Sequence, residues 1–380
     1  MKVRIVLLAA LVLVVGLGAG LVSAEGKTIT VGPSGCDYTS IQEAIDAASP
    51  GDVIKVKTGT YQENLIIDKP LTLRGEGPDL VTIDRSPSAE VSQATLWVSN
   101  NVTVTGFTIT NTDPDKQAIG IWISGDDVHI VANRIVDVWV GVEAFAGGDG
   151  VEIAHNEILR CQIVGIGVLA IGTIITENTI SECNGGIALG FKPPEGLGGV
   201  ASATIFKNTI SRNRFGIVSY GAIANIFHNL IEENSGPGIA TAYGPSSFTI
   251  MGNTIRKNGE EGIRLGPGDI AMLLQNTVAE NKGNGILLAV EFAEVAGNRI
   301  LANQGNGINV RSCGIAVIVG GGYDAGWVHA NVIKDNEGYG LFAEDASMIL
   351  ACYSNEISGN EMGDFSENLK DQCQKAGGSE

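Results

Sequence analysis

The sequence predicts an all-β protein, a single-stranded right-handed parallel β-helix of about eleven coils with an N-terminal capping helix. Two observations predict this fold. Ten asparagines recur at nearly constant spacing, with most steps of 21 to 24 residues and two longer steps of 30 and 33. The residue two positions after each asparagine is isoleucine in nine cases and valine in one. A fixed period of this length is typical of a solenoid of stacked units. The asparagines are Asn133, Asn156, Asn178, Asn208, Asn229, Asn253, Asn276, Asn298, Asn331 and Asn355.

Each repeat unit has the periodicity of strands. In residues 203–217 and 295–308, apolar residues alternate with other residues, and Asn or Gly separates the short runs. Alternation indicates β-strands, and Asn and Gly tolerate tight turns. A unit of about 22 residues therefore accommodates three short strands and three turns. Antiparallel hairpins would need turn pairs such as Asn-Gly between matched strands, and helical repeats would need longer runs with a 3.6-residue period. Neither is the rule in this sequence.

Equivalent residues of a parallel β-helix stack about 4.8 Å apart, so the repeated asparagines are expected to form a hydrogen-bonded ladder. A second ladder is expected five residues further on. Cys161 and Cys183 occupy this second position in adjacent coils, where their Cα atoms should lie about 5 Å apart. That separation suits a disulfide. We expect a disulfide between them, or at least a stacked thiol pair. The asparagines of the second ladder are Asn213, Asn234, Asn258, Asn281, Asn303, Asn336 and Asn360.

A short helix is predicted before the first coils. Ser40 and Glu43 have the spacing of a capping box, and Pro50-Gly51 ends the helix. Such a helix would cover the open end of the solenoid, whose strand edges and core are otherwise open to other chains. The apolar residues on one helix face are Ile41, Ala44, Ile45 and Ala48.

These motifs carry a family resemblance. From about Lys27 to about Asn360, the chain resembles parallel β-helix proteins of the pectin lyase-like superfamily, particularly NosD-like and related carbohydrate-binding β-helix domains. Residues 38–56 and 59–63 are similar to the segment that forms a capping helix and a first coil in such proteins. The resemblance implies that ligands and catalytic groups, where present, lie on one long sheet and its flanking loops.

The predicted organisation begins with an export signal. Lys2 and Arg4 precede a long apolar stretch, and Val22-Ser23-Ala24 fits the small-residue pattern of a signal-peptide cleavage site. We expect a secreted, periplasmic or cell-surface protein with no transmembrane anchor after signal cleavage, although an uncleaved anchor is the alternative. The predicted segments are the signal peptide 1–24, the N-terminal cap and first strand 25–58, the β-helix 59–360 and a polar C-terminal tail 361–380.

Charge limits the possible partners. The chain has 42 acidic and 24 basic residues, and its formal net charge is −18. This balance argues against binding to nucleic acid or to anionic membranes. A polysaccharide or cell-surface polymer is the expected partner, and we expect a monomer.

Among the remaining cysteines, Cys352 lies at an inward strand position, and Cys373 could pin the tail over the open end.

The strand with the pattern Gly-Ile-x-apolar is expected to form the long sheet. Its outward positions are mostly small or apolar, with aromatic groups at Trp122, Phe145 and Tyr220. Such surface can stack on sugar rings or be covered by a loop. Two insertions are expected beside this sheet, at 191–200 and 312–327. Either they fold over the sheet and cover it, or they form the sides of a carbohydrate-binding groove. The first outward column is Trp122, Glu143, Gly167, Ala188, Val218, Ala240, Arg264, Leu287, Asn309 and Phe342. The second is Ser124, Phe145, Leu169, Gly190, Tyr220, Ala242, Gly266, Ala289, Arg311 and Glu344.

Catalytic residues are harder to identify. Sugar hydrolysis needs two carboxylates, but Glu143 is alone in its half of the columns, apart from acids in turns. A lyase needs a base, for which Arg264 is a candidate. Arg311 is a candidate ligand-binding residue, although an ion pair with Glu344 in the neighbouring coil is also expected.

Metal sites have little support. His155 and His228 share one position but are three coils apart, about 14 Å. The NosD resemblance suggests copper, yet no ligand cluster accompanies it. The segment 147–150, Gly-Gly-Asp-Gly, resembles part of a calcium-binding repeat and occurs once, so calcium is possible.

The leading functional hypothesis is an exported β-helix protein without catalytic activity that binds carbohydrate or another surface polymer on the long sheet. A polysaccharide lyase, hydrolase or epimerase is the second hypothesis. A structural or adhesive surface protein is the third.

Overall fold

The computed structural model describes residues 26–85, 94–113, 118–145, 148–190, 201–311, 314–319, 330–345, 349–352, 354–370 and 373. Three parallel sheets of 14, 13 and 13 strands run the length of the chain, and the strands of each sheet follow one another in order. The predicted parallel β-helix is therefore confirmed. It has about 13 coils rather than about eleven, because the coils before Asn133 lack the asparagine motif and sheet 3 extends beyond residue 360.

Each coil contributes one strand to each sheet, in the order sheet 1, sheet 2, sheet 3. Sheet 1 consists of Thr28–Val31, Val53–Val56, Leu71–Gly75, Val102–Thr105, His129–Val131, Glu152–Ala154, Thr173–Thr176, Ala201–Phe206, Ala222–Phe227, Ser247–Met251, Ile270–Leu274, Phe292–Ala296, Ile315–Val319 and Ile349–Ala351. Sheet 2 consists of Gly59–Gln62, Val81–Asp84, Thr108–Thr110, Arg134–Val136, Glu157–Leu159, Thr179–Ser181, Thr209–Ser211, Leu230–Glu232, Thr254–Arg256, Thr277–Ala279, Arg299–Leu301, Val332–Lys334 and Glu356–Ser358. Sheet 3 consists of Leu65–Ile67, Ala94–Val98, Ile119–Ile123, Val140–Ala144, Val164–Val168, Gly185–Leu189, Phe215–Ser219, Ile239–Thr241, Ile263–Leu265, Ile286–Leu288, Ile308–Val310, Tyr339–Ala343 and Gly363–Phe365.

The asparagine ladder joins sheet 1 to sheet 2 in successive coils. Asn253 Oδ1 accepts hydrogen bonds from the backbone N–H and the side-chain Nδ2 of Asn229, at 2.9 and 3.0 Å. Asn253 Nδ2 donates to the carbonyl of Ile226 at 2.8 Å. The side chain thus satisfies buried backbone groups that a closely wound turn would otherwise leave without partners. This requirement for a donor and an acceptor at one position explains why the repeat uses Asn.

In most coils the left-handed turn position is the residue before the ladder asparagine, not the asparagine itself. Lys207, His228 and Gln275 have φ values of 56°, 54° and 53°. Their backbone conformation is one that most residues avoid, and the ladder hydrogen bonds hold it in place.

The glycine of the Gly-Ile motif is required by close packing. A Cβ added at Gly216 would lie 2.2 Å from the carbonyl oxygen of Gly238 and 2.8 Å from Cγ2 of Ile231. Ile231 belongs to the isoleucine column of the repeat and is fully buried. The two consensus residues, Gly and Ile, therefore fit one another inside the coil.

The N-terminal helix spans Ile41–Ala47, and its buried face confirms the predicted cap. Ser40 Oγ accepts from the N–H of Glu43 at 3.3 Å, as a capping box requires. A carboxylate from outside the helix binds the other groups at this end. Glu63 accepts hydrogen bonds from Ser40 Oγ and from the N–H groups of Ile41 and Gln42, at 2.8 to 2.9 Å. Glu63 lies in the first coil, so it attaches the cap to the solenoid.

The C-terminal end differs from the predicted polar tail. Gly363–Phe365 is the last strand of sheet 3, followed by a 3-10 turn at Glu367–Leu369. Cys373 forms a disulfide with Cys352, which ties the segment to the last strand of sheet 1. The predicted insertion 312–327 also contains a strand, Ile315–Val319, because its apolar residues continue the inner column of sheet 1. Within the described residues, no helix is long and apolar enough to cross a membrane.

Candidate functional site

The register of sheet 3 aligns the predicted outward residues into one continuous column. Trp122 pairs with Glu143, Glu143 with Gly167, and Gly167 with Ala188. The pairing continues through Val218, Ala240, Arg264, Leu287, Asn309 and Phe342. Below Trp122 the column also includes Trp97, which the sequence prediction missed because its coil lacks the asparagine motif.

The middle of this column is not open surface. Ala188, Val218 and Ala240 are buried. Ala188 and Val218 belong to a second apolar cluster, separate from the core, against which Trp122, Trp139 and Tyr220 pack. The insertion 191–200, which was expected to cover or flank this surface, lies outside the described residues.

Two aromatic residues form a platform at one end of the buried region. The ring centroids of Trp122 and Phe145 lie 5.3 Å apart, with an interplanar angle of 35°. Both side chains are partly exposed. We refer to Trp122 and Phe145 as the aromatic platform. The sequence placed both residues on this face but could not show that their rings meet.

Glu143 lies beside the platform and has an unusual environment. Burial raises the pKa of its carboxyl from the ordinary 4.5 to about 7. A Cβ added at Gly167 would lie 2.4 Å from Glu143 Oε2, so the carboxyl lies directly over the glycine of the next coil. Within the described part of the chain, no hydrogen bond or ion pair contributes to this shift. Such a group can exist in either protonation state near neutral pH.

The other acids that are close in sequence belong to other structures. Glu152 is on sheet 1, where its carboxylate contacts His129 Nδ1 at 2.8 Å. Asp126 Oδ1 accepts from the N–H of Asp149 at 2.8 Å and thereby connects stacked turns. Neither acid shares the outer face of sheet 3 with Glu143. Among the described residues, none of these acids therefore gives Glu143 the second carboxylate that glycoside hydrolysis needs.

The two arginines are engaged with acids. Arg264 contacts Glu260 at 3.0 Å and Glu261 at 3.7 Å. It lies five coils from Glu143, about 24 Å away. The two residues therefore cannot act on the same sugar ring.

Arg311 lies near the far end of the face. Its Nε contacts Glu344 at 3.5 Å, which confirms the expected ion pair, and donates to Asn309 Oδ1 at 3.3 Å. Arg311 remains a candidate for ligand binding, but it lies far along the column from the aromatic platform.

A second aromatic pair extends the face. Tyr220 and Tyr243 stack with ring centroids 6.3 Å apart, and Tyr243 is 77% exposed. Tyr220 lies three coils above Phe145, about 14 Å along the helix axis. Sequence reasoning identified Tyr220 and missed Tyr243, which lies in the turn immediately after the second outward column.

The possible metal ligands are dispersed. Among the described residues, no group of three or more His, Cys, Asp or Glu side chains converges. His155 contacts Glu177 at 3.3 Å, and His228 packs edge-on against Phe206. These two histidines occupy the left-handed turn position of their coils, which accounts for their shared place in the repeat.

Cys161 and Cys183 are buried free thiols at the second ladder position. Cys183 Sγ accepts from the N–H of Cys161 at 3.3 Å, and the N–H of Cys183 donates to Asn213 Oδ1 at 2.9 Å. The structure contains the stacked thiol pair and not the disulfide between them. The disulfide among the described cysteines is Cys352–Cys373, a pairing that sequence reasoning did not make because the two residues belong to different parts of the coil.

Comparison with protein families places this geometry among known β-helices. Residues 45–235 match the family described as periplasmic copper-binding protein (NosD), and residues 196–321 match the right-handed β-helix region.

Two curated relatives match shorter stretches. A cell surface glycoprotein of Methanothermus fervidus is 33% identical over 108 residues, 28% of this chain and 17% of the relative. The probable pectinesterase 67 of Arabidopsis thaliana is 32% identical over 109 residues, 24% of this chain and 32% of the relative. In both cases the match spans less than a third of the relative.

Several solved structures are similar to this fold over most of the chain. The A-module of mannuronan C-5 epimerase AlgE4 from Azotobacter vinelandii superposes with a TM-score of 0.59 and is 15% identical. The match covers 73% of this chain and 88% of the module. At this level of identity the likeness concerns the fold alone.

Proposed function

The chain belongs to the NosD family of right-handed parallel β-helix proteins, and we propose that it is an exported protein that binds carbohydrate on the outer face of sheet 3. The observation that carries the proposal is the aromatic platform beside Glu143. Trp122 and Phe145 present ring surface at the edge of a buried apolar cluster, and a carboxyl that can be neutral lies next to them.

This combination suits a sugar. The apolar C–H face of a pyranose ring packs on an aromatic ring, while the hydroxyl groups need hydrogen-bonding partners at the edge. A protonated carboxyl both donates and accepts hydrogen bonds, and a carboxylate only accepts them. Glu143 therefore supports sugar binding on both sides of its pKa of about 7, with more donors available at lower pH.

The proposed location is the cell surface or the periplasm. The family description names a periplasmic protein, one curated relative is a cell surface glycoprotein, and residues 1–24 have the pattern of an export signal. The similar epimerase acts on a polysaccharide, which is consistent with a glycan ligand for this fold without assigning one.

Copper is not part of the proposal, although the family description includes it. The described residues do not fit a copper site of three or more ligands, because the histidines are engaged with other side chains or lie coils apart. The buried thiols of Cys161 and Cys183 offer two sulfurs and no further described ligand. We therefore assign no chemistry through copper to this chain.

A polysaccharide lyase, hydrolase or epimerase is the second candidate, and one observation favours it. A carboxyl with a pKa of about 7 is suited to general acid or base catalysis at neutral pH. Against this candidate, the acids that contact Arg264 and Arg311, namely Glu260, Glu261 and Glu344, lie at least about five coils from Glu143, too far to act on the same sugar ring.

The test is a glycan-binding screen on residues 25–380, with calcium and with a chelator. Replacing Trp122 by Ala should weaken binding of a hit roughly tenfold, the change that about 1.4 kcal/mol produces. Ile174→Ala is the control, because Ile174 is a 45% exposed apolar residue on sheet 1, away from the outer face of sheet 3.

Binding without turnover that depends on Trp122 supports the proposal. Cleavage, or new unsaturated ends in the bound glycan, would instead favour the enzyme. If no glycan binds, the carbohydrate-binding proposal is wrong, and a structural or adhesive role becomes the better account.

A further inference from the structure

The outer side of sheet 1 changes its character along the helix axis. Its first coils carry charged or titratable residues, including Lys55, Arg74, His129 and Glu152. In the six consecutive strands from Ala201–Phe206 to Ile315–Val319, Glu294 is the one charged residue on the outer side among those described. The first three strands also carry uncharged polar residues on the outer side: Ser202, Thr204, Asn225, Ser247 and Thr249. We call the outer side of these six strands the apolar face.

Large apolar side chains are exposed on this face. Ile223, Ile270 and Ile315 are 52%, 48% and 44% exposed and alternate along one column. Phe227 and Leu274 lie in a second column, two coils apart, with Met251 between them. Single exposed apolar residues are common on proteins, but a cluster of them marks an interaction surface. The cluster is densest in the last three strands, where Glu294 is the one polar residue on the outer side among those described.

The sequences of two strands support the same conclusion. Ile270–Leu274 and Ile315–Val319 contain only apolar residues. In the first strand, Ala271 and Leu273 point into the core and are fully buried, so Ile270, Met272 and Leu274 face outward. Strands that are covered on one side alternate apolar and polar residues, whereas strands covered on both sides are apolar throughout. These strands have the pattern of a sheet that is covered on both sides.

The size of the face is close to what a dimer needs. Six strands about 4.8 Å apart and five residues of about 3.3 Å give an area of roughly 30 by 18 Å, including side chains. Two such faces would bury about 1,000 Å² in total, the lower limit for a specific interface. Two flat sheets can pack face to face at about 10 Å, as in a β-sandwich.

The charge of the chain indicates where two copies can meet. With a formal net charge of −18, two copies repel each other over most of their surface. Among the described residues, the charges on the apolar face are Glu294 and, at its edge, Lys207 over the ring of Phe206. Contact there therefore combines little repulsion with the most apolar burial. We infer that two copies of this chain form a symmetric dimer through the apolar face of sheet 1. This departs from the monomer expected from the sequence and leaves the glycan-binding face of sheet 3 free.

Analytical ultracentrifugation of residues 25–380 from about 1 to about 100 µM tests the dimer, because an interface of this size is expected to associate weakly. The wild-type protein should show a reversible monomer–dimer equilibrium. Ile270→Lys places a charge near the centre of the face in each copy, and should weaken association at least about 100-fold.

Ile171→Lys is the matched control. Ile171 is 58% exposed in the turn between sheets 3 and 1, outside the apolar face, and its replacement should leave the equilibrium unchanged. Circular dichroism and thermal unfolding establish that both variants fold.

A wild-type protein that stays monomeric up to about 100 µM would overturn the inference. Equal effects of the two lysine variants would also overturn it, since association would then depend on overall charge. If the wild-type protein is a monomer and Ile270→Lys lowers its stability, a segment of the same chain already covers the face, and the dimer inference is wrong.

Discussion

Replacing Glu143 by Gln removes the one described group on the outer face of sheet 3 whose pKa is raised to about 7. The carboxyl is protonated in the folded and unfolded chains below about pH 4.5, so it makes no pH-dependent difference there. Between about pH 4.5 and 7 it ionises in the unfolded chain and stays protonated in the folded one. The folded state then binds more protons, and the stability of the wild-type protein falls as the pH rises.

The size of this effect follows from the pKa difference. A rise from 4.5 to about 7 corresponds to at most about 3 kcal/mol, reached above pH 7. Gln has nearly the same shape and does not ionise. The variant should therefore gain stability relative to wild type as the pH rises, by up to about 3 kcal/mol, and then level off above pH 7.

Urea unfolding of both proteins, followed by tryptophan fluorescence between pH 4 and 8.5, measures the difference. Glu291→Gln is the control, since Glu291 is exposed on the turn before a sheet 1 strand. If the difference between wild type and Glu143→Gln does not change with pH, the carboxyl is not desolvated as the structure indicates. If wild type becomes the relatively more stable protein at high pH, the sign of the argument is wrong.

Two further predictions concern the scaffold. Replacing Asn253 by Ala should lower the free energy of unfolding by about 3 kcal/mol, because buried donors and acceptors of the preceding coil lose their partner, whereas Asn355→Ala at the partly buried end of the ladder should cost less. Urea unfolding midpoints of the two variants measure the difference. Equal losses of stability in both variants would contradict the prediction that buried ladder hydrogen bonds contribute more than those at the end. Replacing Cys352 and Cys373 by Ser should destabilise the C-terminal coil by about 3 kcal/mol, since the disulfide closes a loop of about 20 residues. The double variant should show faster hydrogen exchange in the last strand of sheet 3, and the control Cys36→Ser should show no change. Unchanged exchange in the double variant would contradict the prediction.

Much of the fold follows from residues whose partners are their own equivalents in the next coil. Because Asn253 meets Asn229 and Asn276, the spacing of one residue type was enough to predict the ladder and the coil. The first coils were harder to count because Phe107 stands where later coils have Asn. The Cys352–Cys373 bond was missed for a related reason, as it joins positions that the repeat does not relate.

The amino-acid sequence by itself determined the parallel β-helix, its register and the identity of the outward columns, since a repeated unit with strand periodicity leaves few other ways to bury its isoleucines. Only the tertiary structure decided which outward residues are buried and which are exposed. Glu143 and Arg264 look alike in the sequence, as charged residues in one column. Burial over Gly167 raises the pKa of Glu143, whereas Arg264 contacts Glu260 and Glu261. These differences depend on what packs around each coil from outside, and the repeat pattern carries no information about that.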